Sequence, residues 1–253
     1  RVVDDRPDTA LILHLVPYRD ADLMVSMLAA ERGRVDASAP SGRKSRTRFQ
    51  AGLDKFCLVE VELATDRQGR HRLRSSRLLE PFDGLRVDLE RMAAAELACE
   101  VVRATAPEGG DAGSLLEPVV ALLRLLTVVD LARVGPVTWG GLVWILGAQG
   151  FLPRDCRCVR CDGLPAGEDL YFSLASGALR CRGHALDPGA MRILPAGSQA
   201  LYDTAAAGNL RPLAQGTATS GELKQLSLYA ELRVHEILNK TPRSLEFFHQ
   251  VVG

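Results

Sequence analysis

Aromatic residues are scarce in this chain. Phe, Trp and Tyr make up 5% of its 253 residues, and only Tyr18, Phe49 and Phe56 fall in the first 80. Any nucleobase would find few rings to stack on there. A G-x-x-x-x-G-K-[ST] phosphate loop is absent, and no G-x-G-x-x-G follows a strand-like run, so neither common nucleotide-binding turn is present. His235-Glu236 does not extend to a zinc-protease helix, because Asn239 stands where the second His is needed. Both halves of the zinc-deaminase pattern, H-x-E and P-C-x-x-C, are missing. The five histidines are scattered, and Glu60 and Glu62 read as an exposed strand face. With no nucleophile-and-base pairing, an enzyme is not expected.

Long apolar runs free of charge are lacking too. Leu115 to Val129 comes nearest and is broken by Glu117 and Arg124, so no membrane span is expected. Arg1 to Asp8 is charged and polar, unlike a secretory signal. The chain holds six cysteines, and their grouping suits a metal in a reducing cytoplasm better than a disulfide framework.

That grouping is the most specific feature present. Cys158-Val159-Arg160-Cys161 is followed, nineteen residues on, by Cys181-Arg182-Gly183-His184. A C-x-x-C turn folds back so that both thiolates can face one ion, and a second pair closes a tetrahedron. Four protein ligands leave no open position, so the expected role is a structural zinc. Three alternatives stand beside it. Cys156 could substitute or be idle, the site could be degenerate, or the C-x-x-C could be a redox pair. The last wants a strand-to-helix context, whereas Asp155 to Gly167 reads as loop. Cys57 and Cys99 lie in apolar runs and read as small core residues.

Overall charge is balanced, with 31 Lys+Arg against 31 Asp+Glu. The balance is uneven along the chain, at +3 over residues 1–80 and −3 over the rest. Arg34, Arg43, Lys44, Arg46 and Arg48 face Asp36 alone between Gly33 and Phe49. Arg67, Arg70, Arg72, Arg74 and Arg77 follow with no acid among them. Alternation over Phe56–Leu63, a turn at Asp66–Gly69 and a return over His71–Leu79 predict a hairpin. Ala10–Val16 and Arg34–Ala39 add two strands, while Asp22–Ala30 could be strand or helix by period alone. Five strands in about 80 residues predict a small closed barrel of the oligonucleotide-binding (OB) kind.

From Pro81 the period becomes helical, over Asp88–Ala104, Leu115–Ala132, Thr138–Ala148 and Glu222–Leu238, with a weak helix over Leu186–Ala206 interrupted by Pro195. The expected architecture is therefore α+β and multidomain. An OB-fold barrel occupies 1–80, and an α-helical domain occupies 81–253 with an inserted zinc-finger segment over 154–185. Arg70, Arg72 and Arg74, at alternate positions, would project from one side of the sheet. With Arg34, Arg43, Lys44, Arg46 and Arg48 they form a candidate nucleic-acid surface that would bind mainly through phosphates. The competing readings are a solvated charged hairpin and a zinc-stabilised protein-interaction module without significant DNA binding.

Several segments, in order, resemble the RecO family of bacterial DNA repair proteins. Pro17-Tyr18-Arg19-Asp20-Ala21-Asp22 is similar to the family's Pro-Tyr-x-Glu-x-Asp segment. Glu31-Arg32-Gly33-Arg34-Val35, Gly42-Arg43-Lys44-Ser45-Arg46 and Leu78-Leu79-Glu80-Pro81-Phe82 follow. Cys158 to Cys161, Phe172-Ser173 through Gly177, and Cys181 resemble its zinc segment, and Pro242-Arg243-Ser244 with Phe247-Phe248 its closing tail. The resemblance implies a non-enzymatic protein that binds single- and double-stranded DNA and anneals complementary strands. It implies partnership with RecR, contact with the C-terminal tail of single-strand-binding protein, and indirect help in loading RecA. It implies a cytoplasmic, nucleoid-associated location. His184 departs from the pattern, since the family's familiar fourth ligand is Cys.

Overall fold

A computed structural model describes residues 6–45, 48–49, 53–110, 112–163, 167–187, 191–239 and 241–252. The chain divides into two compact units, one of residues 1–88 with 95–127, the other of 89–94 with 128–253.

The first unit is built on a closed five-stranded barrel of strand order β1-β2-β3-β5-β4. Its strands are β1 (Asp8–Tyr18), β2 (Asp22–Ala29), β3 (Gly33–Ala39), β4 (Leu58–Thr65) and β5 (His71–Glu80). β1 closes the barrel by pairing antiparallel with β4 over Asp8–Leu11, and β3 meets β5 in parallel at Ala37–His71 and Ser38–Arg72. The run from Asp22, ambiguous in sequence, is strand. Leu23, Val25, Met27 and Ala29 turn inward while Met24 and Ser26 do not, and both edges are paired. Ala10, Ile12, Val35, Ala37, Val59, Val61, Leu63 and Leu73 complete the interior, with Phe49 fully buried among them. Pro17 sits within β1, beyond the stretch that β4 pairs, where a missing N–H costs no ladder bond on that side.

Two helices fold into the same unit, α1 (Leu89–Thr105) from Ala95 onward and α2 (Gly113–Val128) as far as Thr127. Lys55 Nζ meets Glu96 at 2.6 Å, and Arg124 grips both oxygens of Glu80 at 2.7–3.1 Å. The α1–α2 connection lies against the start of β3. Arg34 N donates to Pro107 O at 2.8 Å, and Ala112 N donates to Ala30 O at 2.7 Å. Gly33 adopts φ +67°, and a Cβ there would stand 2.7 Å from Pro107 O, so only glycine fits.

The second unit packs around α3 (Leu131–Ala148), which is buried along most of its length. Among the described residues this helix, and not Leu115–Val129, is the one long and apolar enough to cross a membrane; 67% of it is buried within the protein, as in a core helix. A small sheet of order β7-β6-β8 follows, made of β6 (Leu170–Phe172), β7 (Leu179–Arg180) and β8 (Arg192–Leu194). Then come α4 (Ala196–Ala206), α5 (Arg211–Gln215), α6 (Ser220–Leu238) and α7 (Arg243–Val252). The helix expected from Leu186 begins only after Pro195, its N-cap, because the residues before it join the sheet. α6 starts with a capping box in which Thr219 and Glu222 exchange hydrogen bonds. α7 was not anticipated. It lays Phe248 edge-on against Trp139 of α3, with ring centroids 5.5 Å apart.

Candidate nucleic-acid interface and metal centre

One side of the barrel is hollowed into an open groove of about 1580 Å³. That exceeds the roughly 300–1,000 Å³ of small-molecule sites and suits an extended ligand. Its wall carries Arg19, Arg32, Arg34, Arg48, Arg67, Arg70, Arg72 and Arg74, opposed by the carboxylates Asp22, Glu31, Asp36, Asp66 and Glu108. Arg72 and Arg74 flank the inward Leu73 on β5 and are exposed, as the strand period requires.

The cations singled out in sequence are not equivalent. Arg34 is half-buried and committed to the α1–α2 connection, where Nη1 donates to Arg103 O at 2.9 Å and Nη2 pairs with Glu108. Arg70 lies in the β4–β5 turn before the strand begins, paired with Asp66 at 2.7 Å. That pairing, led by the backbone N–H of Arg70, holds the Asp66 carboxyl below its usual range. Neighbouring Arg77 is tied to Glu60 at 3.1 Å. Arg48 is exposed and held in place, its Nη2 donating to Pro40 O at 2.8 Å and its guanidinium 5.3 Å from the Phe49 ring centroid. Arg72 and Lys44 have no ion pair among the described residues. Arg46 lies outside the described residues.

The basic loop is fastened to the β1–β2 turn. Ser41 N donates to Asp22 Oδ1 at 2.8 Å, Arg43 N to Ala21 O at 3.1 Å and Arg43 Nη1 to Asp20 O at 3.4 Å. Neither Arg43 nor Lys44 lines the groove; its wall beside that turn is Tyr18 and Arg19. Those two groove residues, and Arg32, were not among the sequence candidates. Isolated charges and a lone Tyr carry no sequence signal of where a turn will place them.

In the second unit, Cys158, Cys161, Cys181 and His184 converge, with one ligand atom from each lying within 4.8 Å of all the others. Cys158 Sγ and Cys181 Sγ stand 3.6 Å and 3.1 Å from His184 Nδ1, and Cys161 Sγ lies 3.9 Å from Cys181 Sγ. The first pair sits on a tight turn in which Asp162 N donates to Cys158 O and Asp162 takes φ +54°. The second pair brackets a short 3-10 turn, Arg182–His184, closed by His184 N donating to Cys181 O at 3.0 Å. Burial works against the Cys158 thiolate, but the N–H groups of Cys181, Arg160 and Cys161 point at its sulfur and bring the thiol down to about 6. Such an arrangement can hold a metal ion. Cys156 takes no part. Its N donates to Asp203 Oδ1 at 2.6 Å, its sulfur faces Gln199 O, and burial pushes its thiol far up.

Comparison with protein families places this geometry. The N-terminal model of recombination protein O matches residues 6–82 and the C-terminal model matches 86–245. The chain belongs to the recombination protein O family. Among its relatives, the DNA repair protein RecO of Anaeromyxobacter sp. (strain K) is 36% identical over 194 residues, covering 74% of this chain and 72% of that one. RecO of Pelobacter propionicus is 33% identical over 186 residues, covering 70% and 72%. RecO of Nocardioides sp. (strain ATCC BAA-499 / JS614) is 30% identical over 219 residues, covering 81% and 88%. The match to the RecO N-terminal model takes in the whole barrel, and the match to the C-terminal model takes in the Cys/His cluster.

Proposed function

We propose that this protein is a DNA-binding recombination mediator. It binds single- and double-stranded DNA through residues 1–80, anneals complementary strands, and helps load RecA onto DNA coated with single-strand-binding protein. RecR and the tail of single-strand-binding protein are its partners, and the cytoplasmic nucleoid is its place of work. The observation that carries this reading is the arginine-walled groove, in a chain of a DNA repair family. Guanidinium groups along a groove neutralise phosphates and release condensed counterions. A surface that holds two backbones lowers their mutual repulsion, and that is what annealing requires. No covalent step is needed, so the protein is not an enzyme.

Arg43, Lys44, Arg48 and Arg72 are the principal phosphate contacts, joined by Arg46 and Arg74. Arg34 and Arg70, already paired with acids, contribute less. The helical part, 81–253, carries a structural zinc on Cys158, Cys161, Cys181 and His184. At Zn–S and Zn–N bonds of about 2.3 Å and 2.0 Å, tetrahedral edges run about 3.5–3.8 Å. Three of the separations, 3.1, 3.6 and 3.9 Å, scatter about that figure, and the four ligand atoms all lie within 4.8 Å of one another.

Replacing Arg43, Lys44 and Arg72 by Ala together is expected to weaken oligonucleotide binding. It should also flatten the slope of log affinity against log salt by roughly 2. An unchanged slope removes these residues from the site. Wild-type protein that shifts no oligonucleotide at low salt points instead to a zinc-stabilised interaction module.

A further inference from the structure

Thirteen aromatic residues serve this chain, and twelve are turned to the interior or partly covered. Tyr18 is the single exposed aromatic among the described residues, with 43% of its surface open. It is also on the wall of the groove. Phe49 and Phe56, the other aromatics of the first 80 residues, are 0% and 3% exposed and serve the core.

The turn that carries Tyr18 is built at some cost. Tyr18 pairs with Asp22 across the β1–β2 hairpin, leaving Arg19, Asp20 and Ala21 as the loop. Arg19 takes φ +56° without being glycine, a conformation that surrounding structure must enforce. The result is that the Arg19 guanidinium lies 5.1 Å from the Tyr18 ring centroid. Hydrogen bonds from Ser41 and Arg43 to Asp22, Asp20 and Ala21 fix the same turn. A ring held by a cation, half open, amid phosphate-binding groups has the form of a stacking platform.

Resting on the DNA-binding reading above, we propose that Tyr18 stacks against an unpaired base and gives the groove its preference for single strands. Arginine-to-phosphate contacts do not require an unpaired base, because every nucleotide of either form offers a phosphate. A π-face is different: it can receive a base only when that base is out of a duplex stack. One platform also implies little dependence on base identity, since all four bases have a face to offer.

The test is fluorescence anisotropy with labelled oligothymidine, an abasic oligomer of the same length and a duplex of the same length. Each is measured with wild type, Tyr18→Phe and Tyr18→Leu at two salt concentrations. Tyr18→Leu is expected to lose about tenfold in affinity for oligothymidine, with the salt slope unchanged, while Tyr18→Phe keeps it. Neither variant should differ from wild type on the abasic oligomer or the duplex. Equal binding of oligothymidine by Tyr18→Leu and wild type overturns the proposal and leaves the arginine groove intact. A loss of the same size on all three ligands also overturns it, and shows that Tyr18 only shapes the turn. Wild-type protein that binds none of the three removes the DNA-binding reading itself.

Discussion

His14, on β1, is half-buried, and burial is the chief reason its pKa falls below 6.5. The cations Arg103 and Lys55 push the same way, against the weaker pull of Glu96 and Glu100. A lowered folded-state pKa means that the unfolded chain takes up the proton first. The neutral imidazole's contribution is whole above pH 6.5 and drains away as pH falls through the folded-state value. Between pH 6.5 and 5, urea midpoints of wild type should therefore drop more steeply than those of His14→Gln. Parallel lines for the two proteins would mean that His14 is not the group responsible. The same neighbourhood shows what single residues disclose in advance and what they do not. Arg34 and Arg72 look alike in sequence, and each could be read as a phosphate contact. One is tied to Arg103 O and Glu108 and the other points outward. The difference comes from residues about 70 positions along the chain, which no local pattern reports.

At the scale of elements, the loop that carries the Cys/His cluster is held to α6 by a buried cation. Arg233 is 7% exposed; its Nε donates to Phe151 O at 2.8 Å and its Nη1 to Leu174 O at 2.8 Å and Ala175 O at 3.3 Å. Burial lowers its pKa, yet it remains a cation at any working pH. Gly177, at φ +70°, completes the fit, because a Cβ would stand 2.4 Å from Phe151 O and 3.0 Å from Arg233 Nε. Gly177→Ala should cost about 2 kcal/mol or more, from the left-handed backbone and the overlap together. The loss would register as a lower Tm of the second unit, and an unaltered Tm would show that the loop shifts freely. Strands with a clear two-residue period, such as β3 with Val35, Ala37 and Ala39 inward, were legible from sequence. So were the two ligand pairs, since their spacing is itself the chemistry. α7 was not, although its ten residues hold five apolar ones with Leu245, Phe248 and Val252 on one face, because the segment is short and its partner Trp139 is over a hundred positions earlier. The 186–206 run misled because β8 is only three residues long and pairs with β6, a non-local match that overrides weak helical periodicity.

For the whole molecule, the decisive feature is that groove and metal cluster belong to different compact units. The helices that fold with the barrel do so through distant pairs such as Lys55–Glu96 and Arg124–Glu80, which sequence spacing cannot foretell. Metal removal should therefore act on one unit and not on the other. The cluster joins the 158–163 turn to the segment beyond β7. Without an ion, four ligand atoms would crowd together with sulfur lone pairs facing one another. A structural zinc stabilises such a site by about its binding free energy, since the unfolded chain offers no preformed cage. Treatment with a chelator, or Cys181→Ala, is expected to release about one equivalent of zinc and lower the melting transition of the helical unit. Oligonucleotide affinity at fixed salt should stay within about twofold, because the residues that line the groove all belong to the first unit. Annealing assayed alongside then separates two roles for the helical part. Annealing that survives chelation places strand pairing on the barrel alone, whereas annealing lost with affinity intact requires the zinc-braced helices to hold the second strand. Affinity that falls in step with zinc content would break the division between the two units.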